Sequence, residues 1–270
     1  MKKIVVVGGV AGGASAAARI RRLDASAKIV MFEKGPHVSF SNCCLPYYLS
    51  GTVAKADSLV LMTPEKFHAQ HDIDARTNSE VTAINREEKT VTVKNLLTGE
   101  EYAESYDKLI LAPGANPVLP RSIEGIDREN VFVVRNTVDI TALKSYIDQH
   151  DAEEIVVVGG GFIGIEVAEN LREAGKSVSL IEGMNQIMAP FDYDMVQILH
   201  KELDDHGVDL YLSSTVTAVK DGRVEASHHG ETIVVPADVV VMAIGVAPET
   251  KLAAAAGLEI GETRGIKVNH

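Results

Sequence analysis

The feature that most limits the fold of this chain is one short pattern that occurs twice. Residues 3–13 read KIVVVGGVAGG and residues 154–164 read EIVVVGGGFIG. In both, a run of β-branched residues leads into closely spaced glycines, which is typical of a buried parallel strand that turns into a helix. Each copy is followed by a second apolar stretch that ends in an acid, Glu33 or Glu182. Two such β-α-β starts predict two nucleotide-binding domains.

The sequence between and after these repeats has a different pattern. Apolar and polar residues alternate over 72–101 and again over 211–235, as in antiparallel sheets with one buried face. Helical patterns are predicted at 137–149 and at about 194–206, where Gly207 would end the second helix. The predicted fold class is α/β, with two Rossmann-like domains that carry antiparallel β insertions in a three-layer ββα arrangement.

Composition excludes several classes of protein. Hydrophobic residues make up 46% and charged residues 24%, as expected for a globular chain and not for a disordered one. A net charge of -12 repels phosphate backbones, so a nucleic-acid partner is not expected. Glycines interrupt the apolar N-terminal stretch, and no run reaches the roughly 18 apolar residues of a membrane span, so we expect a cytoplasmic protein without a signal peptide.

The second glycine loop carries the full dinucleotide fingerprint, Gly159-x-Gly161-x-x-Gly164. The first glycine permits a tight turn, the second lets the backbone approach a pyrophosphate, and the third lets helix and strand pack closely. Glu182 stands about twenty residues further on, where an acid accepts hydrogen bonds from the adenosine ribose and repels a 2′-phosphate. We therefore expect this site to bind NADH or NADPH, with NADH favoured.

The first glycine loop, Gly8 to Gly13, departs from the fingerprint because Val10 stands at the middle glycine position. Gly9 and Gly12 still keep the loop free of side chains, and Glu33 stands at the ribose position. Two interpretations remain open, a dinucleotide site or a glycine-rich turn in an ordinary α/β core.

The two cysteines of the chain, Cys43 and Cys44, lie in the segment 39–51, SFSNCCLPYYLSG. Pro46 suits the first turn of a helix, and a thiolate at a helix N-terminus gains about 0.3–1 kcal/mol from the helix dipole. Most free cysteines are small buried hydrophobes, and that interpretation is the alternative. Beside two dinucleotide sites, a redox thiol is the better hypothesis.

Together, the two glycine loops, the segment 39–51 and residues 106–115 resemble the coenzyme A-disulfide reductase and NADH-dependent coenzyme A-persulfide reductase family. This family is a single-cysteine group of the FAD-dependent pyridine nucleotide-disulfide oxidoreductases. Its Ser-Phe-x-Asn-Cys-Gly-Leu-Pro-Tyr motif carries the redox cysteine, which corresponds to Cys43. Cys44 stands where the family has glycine, which leaves room for an accessory thiol or a vicinal disulfide.

The resemblance also implies a domain plan. The expected domains are 1–118 for FAD, 119–247 for NAD(P)H, and 248–270 for the start of a segment that returns to the FAD domain. The family's flavin-contacting Gly-Asp motif and its dimerisation domain are absent from the 270 residues. We therefore expect a piece of a longer, homodimeric protein, with a naturally shortened product as the alternative. We expect the 270-residue chain to bind FAD more weakly than an extended chain.

The activity implied by the resemblance is reduction of coenzyme A disulfide or persulfide by NADH, through FAD and Cys43. The sequence leaves open an NADH oxidase or peroxidase of the same superfamily, and a non-catalytic nucleotide-binding remnant. It also leaves open which acceptor is physiological.

The resemblance and the glycine patterns together assign the site residues, and no metal ligand is among them. The assigned cofactor-binding residues are Gly8, Gly9, Val10, Ala11, Gly12, Gly13, Glu33, Lys34, Asn42, Ala112, Pro113, Gly114, Gly159, Gly161, Phe162, Ile163, Gly164, Glu166, Glu182 and Gly245. Among these, Phe162 corresponds to an aromatic residue over the flavin and Glu166 to a carboxylate near the nicotinamide, with plain packing and a solvated helix face as the alternatives. The residues assigned to coenzyme A are Arg19, Arg22, Ser39 and Asn42. The two arginines belong to a basic cluster on the first helix, Arg19, Arg21 and Arg22, for which a solvated helix end is the alternative.

Overall fold

The structure is a computed structural model that describes residues 1–269. Its strands are β1 (Lys3–Val7), β2 (Lys28–Phe32), β3 (Ile73–Arg76), β4 (Ser79–Asn85), β5 (Thr90–Asn95), β6 (Glu101–Ser105), β7 (Lys108–Leu111), β8 (Ala115–Pro117), β9 (Val131–Phe132), β10 (Glu154–Val158), β11 (Ser177–Ile181), β12 (Val208–Tyr211), β13 (Ser214–Lys220), β14 (Arg223–His228), β15 (Glu231–Pro236), β16 (Val239–Met242) and β17 (Val246–Pro248). Its α-helices are α1 (Ala11–Leu23), α2 (Pro64–His71), α3 (Thr137–Gln149), α4 (Phe162–Glu173), α5 (Tyr193–Asp205) and α6 (Lys251–Ala255).

The chain divides by its internal contacts into two compact units. Of the described residues, unit 1 comprises 1–41, 60–116 and 247–269, and unit 2 comprises 42–59 and 117–246. The segment 42–59, which carries both cysteines, groups with unit 2, although the sequence placed it among the first 118 residues.

Unit 1 is built on a parallel sheet of four strands in the order β3-β2-β1-β7, accompanied by the antiparallel sheet β4-β5-β6. The side chains of β1 alternate between its two faces, as the strand geometry requires. Val5 and Val7 pack in one core with Val81, Val91 and Val93 of the antiparallel sheet. Ile4 and Val6 pack in a second core with Ala14, Ala17 and Phe67 of α1 and α2.

Unit 2 repeats this plan around a parallel sheet of five strands, β12-β11-β10-β16-β9. Val156, Val158, Val240 and Met242 pack against the antiparallel sheet β13-β14-β15 in one buried cluster with Val216, Val224, Ala226 and Val235. Helix, parallel sheet and antiparallel sheet therefore form three layers in unit 1, and unit 2 stacks its two sheets in the same way. The predicted α/β class with antiparallel insertions is confirmed.

Two of the predicted helices are found with nearly the same bounds. α3 covers Thr137–Gln149, and its first turn is capped by the Asn136 side chain, which accepts hydrogen bonds from the backbone N–H groups of Val138 and Asp139. α5 ends at Asp205, and Gly207 follows at φ +72°. Within residues 1–269 we find no helix with the length and apolar character that a membrane crossing needs.

Candidate dinucleotide and thiol sites

The first glycine of each loop has the same conformation in both units. Gly8 has φ +97° and Gly159 has φ +110°, a region that other residues rarely adopt. Each donates its N–H to the last carbonyl of the neighbouring strand, Phe32 or Ile181, at 2.8 Å. A Cβ would lie 2.0 Å from the Ala112 carbonyl oxygen at Gly8, and 2.5 Å from the Ala243 oxygen at Gly159. Both turns therefore require glycine.

The third glycine of each loop sits where the helix passes close to the preceding turn. A Cβ on Gly13 would lie 1.8 Å from the Gly8 carbonyl oxygen, and a Cβ on Gly164 would lie 1.9 Å from the Gly159 oxygen. These distances are far inside van der Waals contact, so a methyl group would push each helix away from its strand. The close packing has the geometry that the fingerprint spacing predicts.

The middle position of each loop behaves differently. Gly161 has φ -83°, and apart from its own backbone and its chain neighbours no atom of residues 1–269 is found within 4 Å of the Cβ it would carry. Val10 occupies the equivalent position in unit 1 with a similar φ of -99°. The fold therefore accepts a side chain at this position. A side chain at position 161 would extend away from the protein, into space that the glycine leaves empty. That is the space in which a dinucleotide backbone would approach the loop.

The two acids at the ends of β2 and β11 are held in the same way. The carboxylate of Glu33 accepts hydrogen bonds from the backbone N–H groups of Gly9 and Gly35, both at 2.8 Å. The carboxylate of Glu182 accepts from Gly160 at 2.7 Å and from Met184 at 2.8 Å. Each acid is thus oriented toward its own glycine loop, with lone pairs left over for ribose hydroxyls.

The helices that follow the loops begin with unsatisfied N–H groups. Within residues 1–269, neither α1 nor α4 has a side-chain cap or an acidic residue in its first turn. By contrast, α2 is capped by Thr63 and carries Glu65, and α3 is capped by Asn136 and carries Asp139. Free N–H groups and the positive end of the helix dipole make the starts of α1 and α4 suited to phosphate groups.

Two further assigned residues lie on α4. The Phe162 ring is exposed and meets the Phe191 ring edge to face, with 6.3 Å between centroids. Glu166 lies one turn further along, and burial, reinforced by the charge of Glu169, raises the pKa of its carboxyl. Unit 2 therefore carries two distinctive groups near the start of α4. They are the exposed ring of Phe162 and the carboxyl group of Glu166, whose pKa is raised.

The cysteine segment does not contain the α-helix that Pro46 suggested. Asn42–Cys44 and Pro46–Tyr48 are separate 3₁₀ turns of three residues each. Pro46 is still at a helix start, but so short an element lacks the aligned peptides of a helix dipole. Cys43 is exposed, Cys44 is half-buried, and both are free thiols.

Sequence reasoning missed the residues that hold this segment in unit 2. The Ser50 hydroxyl donates a hydrogen bond to Oδ1 of Asn170 on α4 at 2.8 Å. Asn170 is 1% exposed and lies beside the apolar stripe of α4. The signal in the sequence was Asn170 itself, because a polar residue beside the apolar stripe of a helix needs a hydrogen-bond partner when it is buried.

The residues assigned to coenzyme A are distributed over both units. Arg19 and Arg22 are exposed on α1 of unit 1, whereas Arg21 between them donates to the backbone carbonyls of His71, Ala25 and Asp72. Ser39 also belongs to unit 1, has φ +47°, and donates its N–H to the Gly9 carbonyl at 2.8 Å. Asn42 belongs to unit 2, where its side chain approaches the Arg135 carbonyl at 3.5 Å. Arg21 therefore has a structural role, while Arg19 and Arg22 extend into solvent.

The remaining assigned residues follow strands. Ala112 to Gly114 follow β7 in unit 1, where the Ala112 N–H donates to Val7 at 2.8 Å, and Lys34 is exposed after Glu33. Gly245 follows β16 in unit 2 at φ +126°. Unit 1 thus brings together the first glycine loop, Glu33 and Ala112 to Gly114. Unit 2 brings together the second loop, Glu182, Gly245 and the cysteine segment.

Two three-layer units, each with a glycine turn between a parallel strand and an uncapped helix, define a protein with two dinucleotide-type folds. The chain belongs to the pyridine nucleotide-disulphide oxidoreductase family, whose sequence profile matches residues 2–270.

Individual relatives are similar over the whole chain. A coenzyme A disulfide reductase of Staphylococcus haemolyticus is 38% identical over 269 residues, covering 100% of this chain and 60% of that protein. The crystal structure of reduced Bacillus anthracis CoADR-RHD has a TM-score of 0.95 and 46% identity, covering 99% of this chain and 48% of that one. An NAD-dependent persulfide reductase from A. fulgidus has a TM-score of 0.92 and 38% identity, covering 99% and 50%. The chain thus spans about 60% of the length of the curated relatives it matches.

Proposed function

We propose that this chain is the nucleotide-binding part of an FAD-dependent oxidoreductase that uses NADH, or less well NADPH, to reduce small disulfides. The proposed acceptors are coenzyme A disulfide, coenzyme A persulfide and related thiol compounds, reduced through Cys43. The observation that carries the proposal is the pairing of two duplicated glycine-loop sites with an exposed free thiol in one chain. Relatives named for coenzyme A disulfide and persulfide reduction support the choice of acceptor.

Unit 1 fits FAD by the test of its own geometry. The first helix turn is uncapped, Gly8, Gly9, Gly12 and Gly13 leave most of the loop without side chains apart from Val10, and Glu33 is fixed beside it. In this proposal the N–H groups at the start of α1 hold the pyrophosphate, and Glu33 accepts from the ribose hydroxyls. FAD, when bound, supplies two-electron chemistry between a nicotinamide and a disulfide.

Unit 2 fits the nicotinamide dinucleotide by the same criteria. The start of α4 would bind the pyrophosphate, with Gly161 giving the backbone close access and Glu182 holding the ribose. Phe162 and Glu166 would line the nicotinamide end. The residues of this unit orient the dinucleotide and leave the redox chemistry to the cofactors.

The thiolate of Cys43 is the proposed nucleophile. It attacks a sulfur of the incoming disulfide, forms a mixed disulfide with one half, and releases the other half as a thiolate. Two electrons, supplied by NADH, then break the S–S bond of the mixed disulfide, which returns Cys43 to its thiolate and releases the second half of the substrate as a thiolate. Arg19 and Arg22, exposed on α1, are proposed to attract the phosphates of coenzyme A. Free cysteines fit a reducing, cytoplasmic compartment, and the full-length protein is proposed to be a homodimer.

The direct test loads the protein with FAD and follows NADH consumption as coenzyme A disulfide or coenzyme A persulfide is added without oxygen. We expect one NADH consumed for every two thiols released from coenzyme A disulfide, or for every thiol and sulfide released together from coenzyme A persulfide. Consumption that requires oxygen would instead identify an NADH oxidase, and consumption that requires added peroxide would identify a peroxidase. Binding of FAD and NADH without turnover would identify a nucleotide-binding remnant.

We predict a preference for NADH over NADPH, about tenfold or more in kcat/KM. The carboxylate of Glu182 is fixed by two backbone N–H groups, so it cannot swing away from a 2′-phosphate. The four residues that follow it, Gly-Met-Asn-Gln, include no Lys or Arg to bind that phosphate. Glu182→Gln keeps an acceptor oxygen but removes the charge. It should therefore lower the ratio of kcat/KM for NADH to kcat/KM for NADPH. A parent protein with the higher kcat/KM for NADPH would contradict this assignment.

A further inference from the structure

The segment that carries Cys43 is attached to the same helix that opens at the second glycine loop. Ser50, seven residues after Cys43, has its hydroxyl 2.8 Å from Oδ1 of Asn170. Asn170 lies two turns after Phe162 on α4 and is 1% exposed. All of these residues belong to unit 2. One helix therefore begins at the dinucleotide loop and, further along, contacts the thiol segment.

We infer that Asn170 is a positioning residue, which acts through Ser50 to hold the cysteine segment at a fixed place on α4. The inference rests on the proposed role of Cys43 as the redox thiol. A thiol must sit within a few tenths of an ångström of its productive geometry, so its supporting contacts influence the rate of reaction.

A second hydrogen bond holds the Asn170 side chain in place and decides which of its atoms faces Ser50. Its Nδ2 donates to the Glu166 carbonyl one turn earlier at 2.8 Å. With the nitrogen side used within the helix, the oxygen side must face outward to the cysteine segment. A buried amide oxygen needs a donor, and the Ser50 hydroxyl supplies it.

Ser50 has other partners, but they lie within its own turn. Its hydroxyl is 3.2 Å from the Tyr47 carbonyl and 3.0 Å from Oγ1 of Thr52. These contacts shape the turn before Gly51, which has φ +83°, and they do not attach it to α4. The Thr52 N–H also donates to this hydroxyl at 3.4 Å. Asn170 offers the shortest of the four hydroxyl contacts, at 2.8 Å, and joins residues 120 positions apart.

The chain offers a matched set of variants. Ser50→Ala removes the donor to Asn170, and Ser50→Thr keeps a hydroxyl. Thr52→Ala removes a local partner of Ser50 but leaves the contact to Asn170. Asn170→Ala tests the buried side directly. Because Asn170→Ala empties a buried site and can weaken the fold, the half-buried Ser50 variants keep the inference testable.

The first measurement is hydrogen exchange of peptides from 42–59, followed by mass spectrometry. We expect Ser50→Ala and Asn170→Ala to speed exchange there about tenfold, the effect of losing one hydrogen bond to a buried group. Thr52→Ala and Ser50→Thr should stay near the parent. Equal exchange in Ser50→Ala and Thr52→Ala would overturn the inference.

The second measurement uses the FAD-loaded protein with NADH and coenzyme A disulfide. A positioning role predicts that kcat falls in Ser50→Ala, that KM for NADH is unchanged, and that Ser50→Thr restores kcat. The double variant Ser50→Ala, Asn170→Ala should lose no more than Asn170→Ala alone, because both remove one contact. A parallel loss of NADH binding would show damage to α4 and would contradict the inference. If the parent reduces no disulfide, the proposed function fails, and hydrogen exchange alone decides whether Asn170 holds the segment.

Discussion

Replacing Cys43 by serine should lower the rate of disulfide reduction by at least about a thousandfold, the scale on which loss of an attacking nucleophile acts. The thiolate is the group that attacks a disulfide, and a serine hydroxyl does not form a mixed disulfide. Cys43 is exposed, so an incoming disulfide can reach its sulfur. NADH affinity should be unchanged, because the second glycine loop and Glu182 do not depend on the thiol.

Cys44→Gly is the matched control for this experiment. Cys44 is half-buried. It occupies the position at which the coenzyme A-disulfide reductase family, which this segment resembles, has glycine. The variant should therefore keep most of the disulfide reduction. The measurement is the rate of NADH consumption with coenzyme A disulfide, together with mass spectrometry of the mixed disulfide trapped after the first attack. If Cys44→Gly is inactive and Cys43→Ser is active, the two cysteines have been assigned in the wrong order.

The geometry of the glycine loops could be predicted from sequence because its cause is local. A positive φ at Gly8 and Gly159, and the helix–strand approach at Gly13 and Gly164, are requirements of one turn and one helix start. The spacing of the glycines encodes them directly. The three-layer architecture could be predicted for a similar reason. Successive side chains of a strand point to opposite faces, so neighbours such as Val5 and Val6 pack in different cores.

The features that sequence could not predict depend on contacts between distant residues. Proline at a helix start is compatible with an α-helix or a 3₁₀ turn, and packing selected two short turns at 42–48. Similarly, three neighbouring arginines on α1 look alike in sequence. The backbone carbonyls of His71, Ala25 and Asp72, which accept hydrogen bonds from Arg21, distinguish it from Arg19 and Arg22.

The placement of the cysteine segment is the clearest case of this kind. Its position in the chain suggested the first domain, but residues 42–59 group with unit 2. The contact between Ser50 and Asn170 connects positions 120 residues apart, and nothing in either local sequence indicates the pairing. A buried polar residue can be recognised from a helical pattern, but its partner cannot.

The last prediction separates the two uses of glycine in the second loop. Gly164→Ala would place a methyl carbon 1.9 Å from the Gly159 carbonyl oxygen, so α4 must move away from β10. We expect a loss of about 1–3 kcal/mol in the free energy of unfolding and a loss of NADH affinity, because the loop is displaced. In Gly161→Ala, the new methyl group meets no atom of residues 1–269 within 4 Å apart from its chain neighbours, and the backbone has φ -83°, which alanine adopts freely. Its stability should match or slightly exceed that of the parent. NADH affinity should still fall about tenfold, because the methyl group would occupy the space through which the pyrophosphate reaches the loop.

Thermal unfolding measures the stability of both variants, and calorimetric titration measures their affinity for NADH. If Gly161→Ala binds NADH as tightly as the parent, the pyrophosphate does not pass through the space beside Gly161, and the close approach assigned to this glycine is wrong.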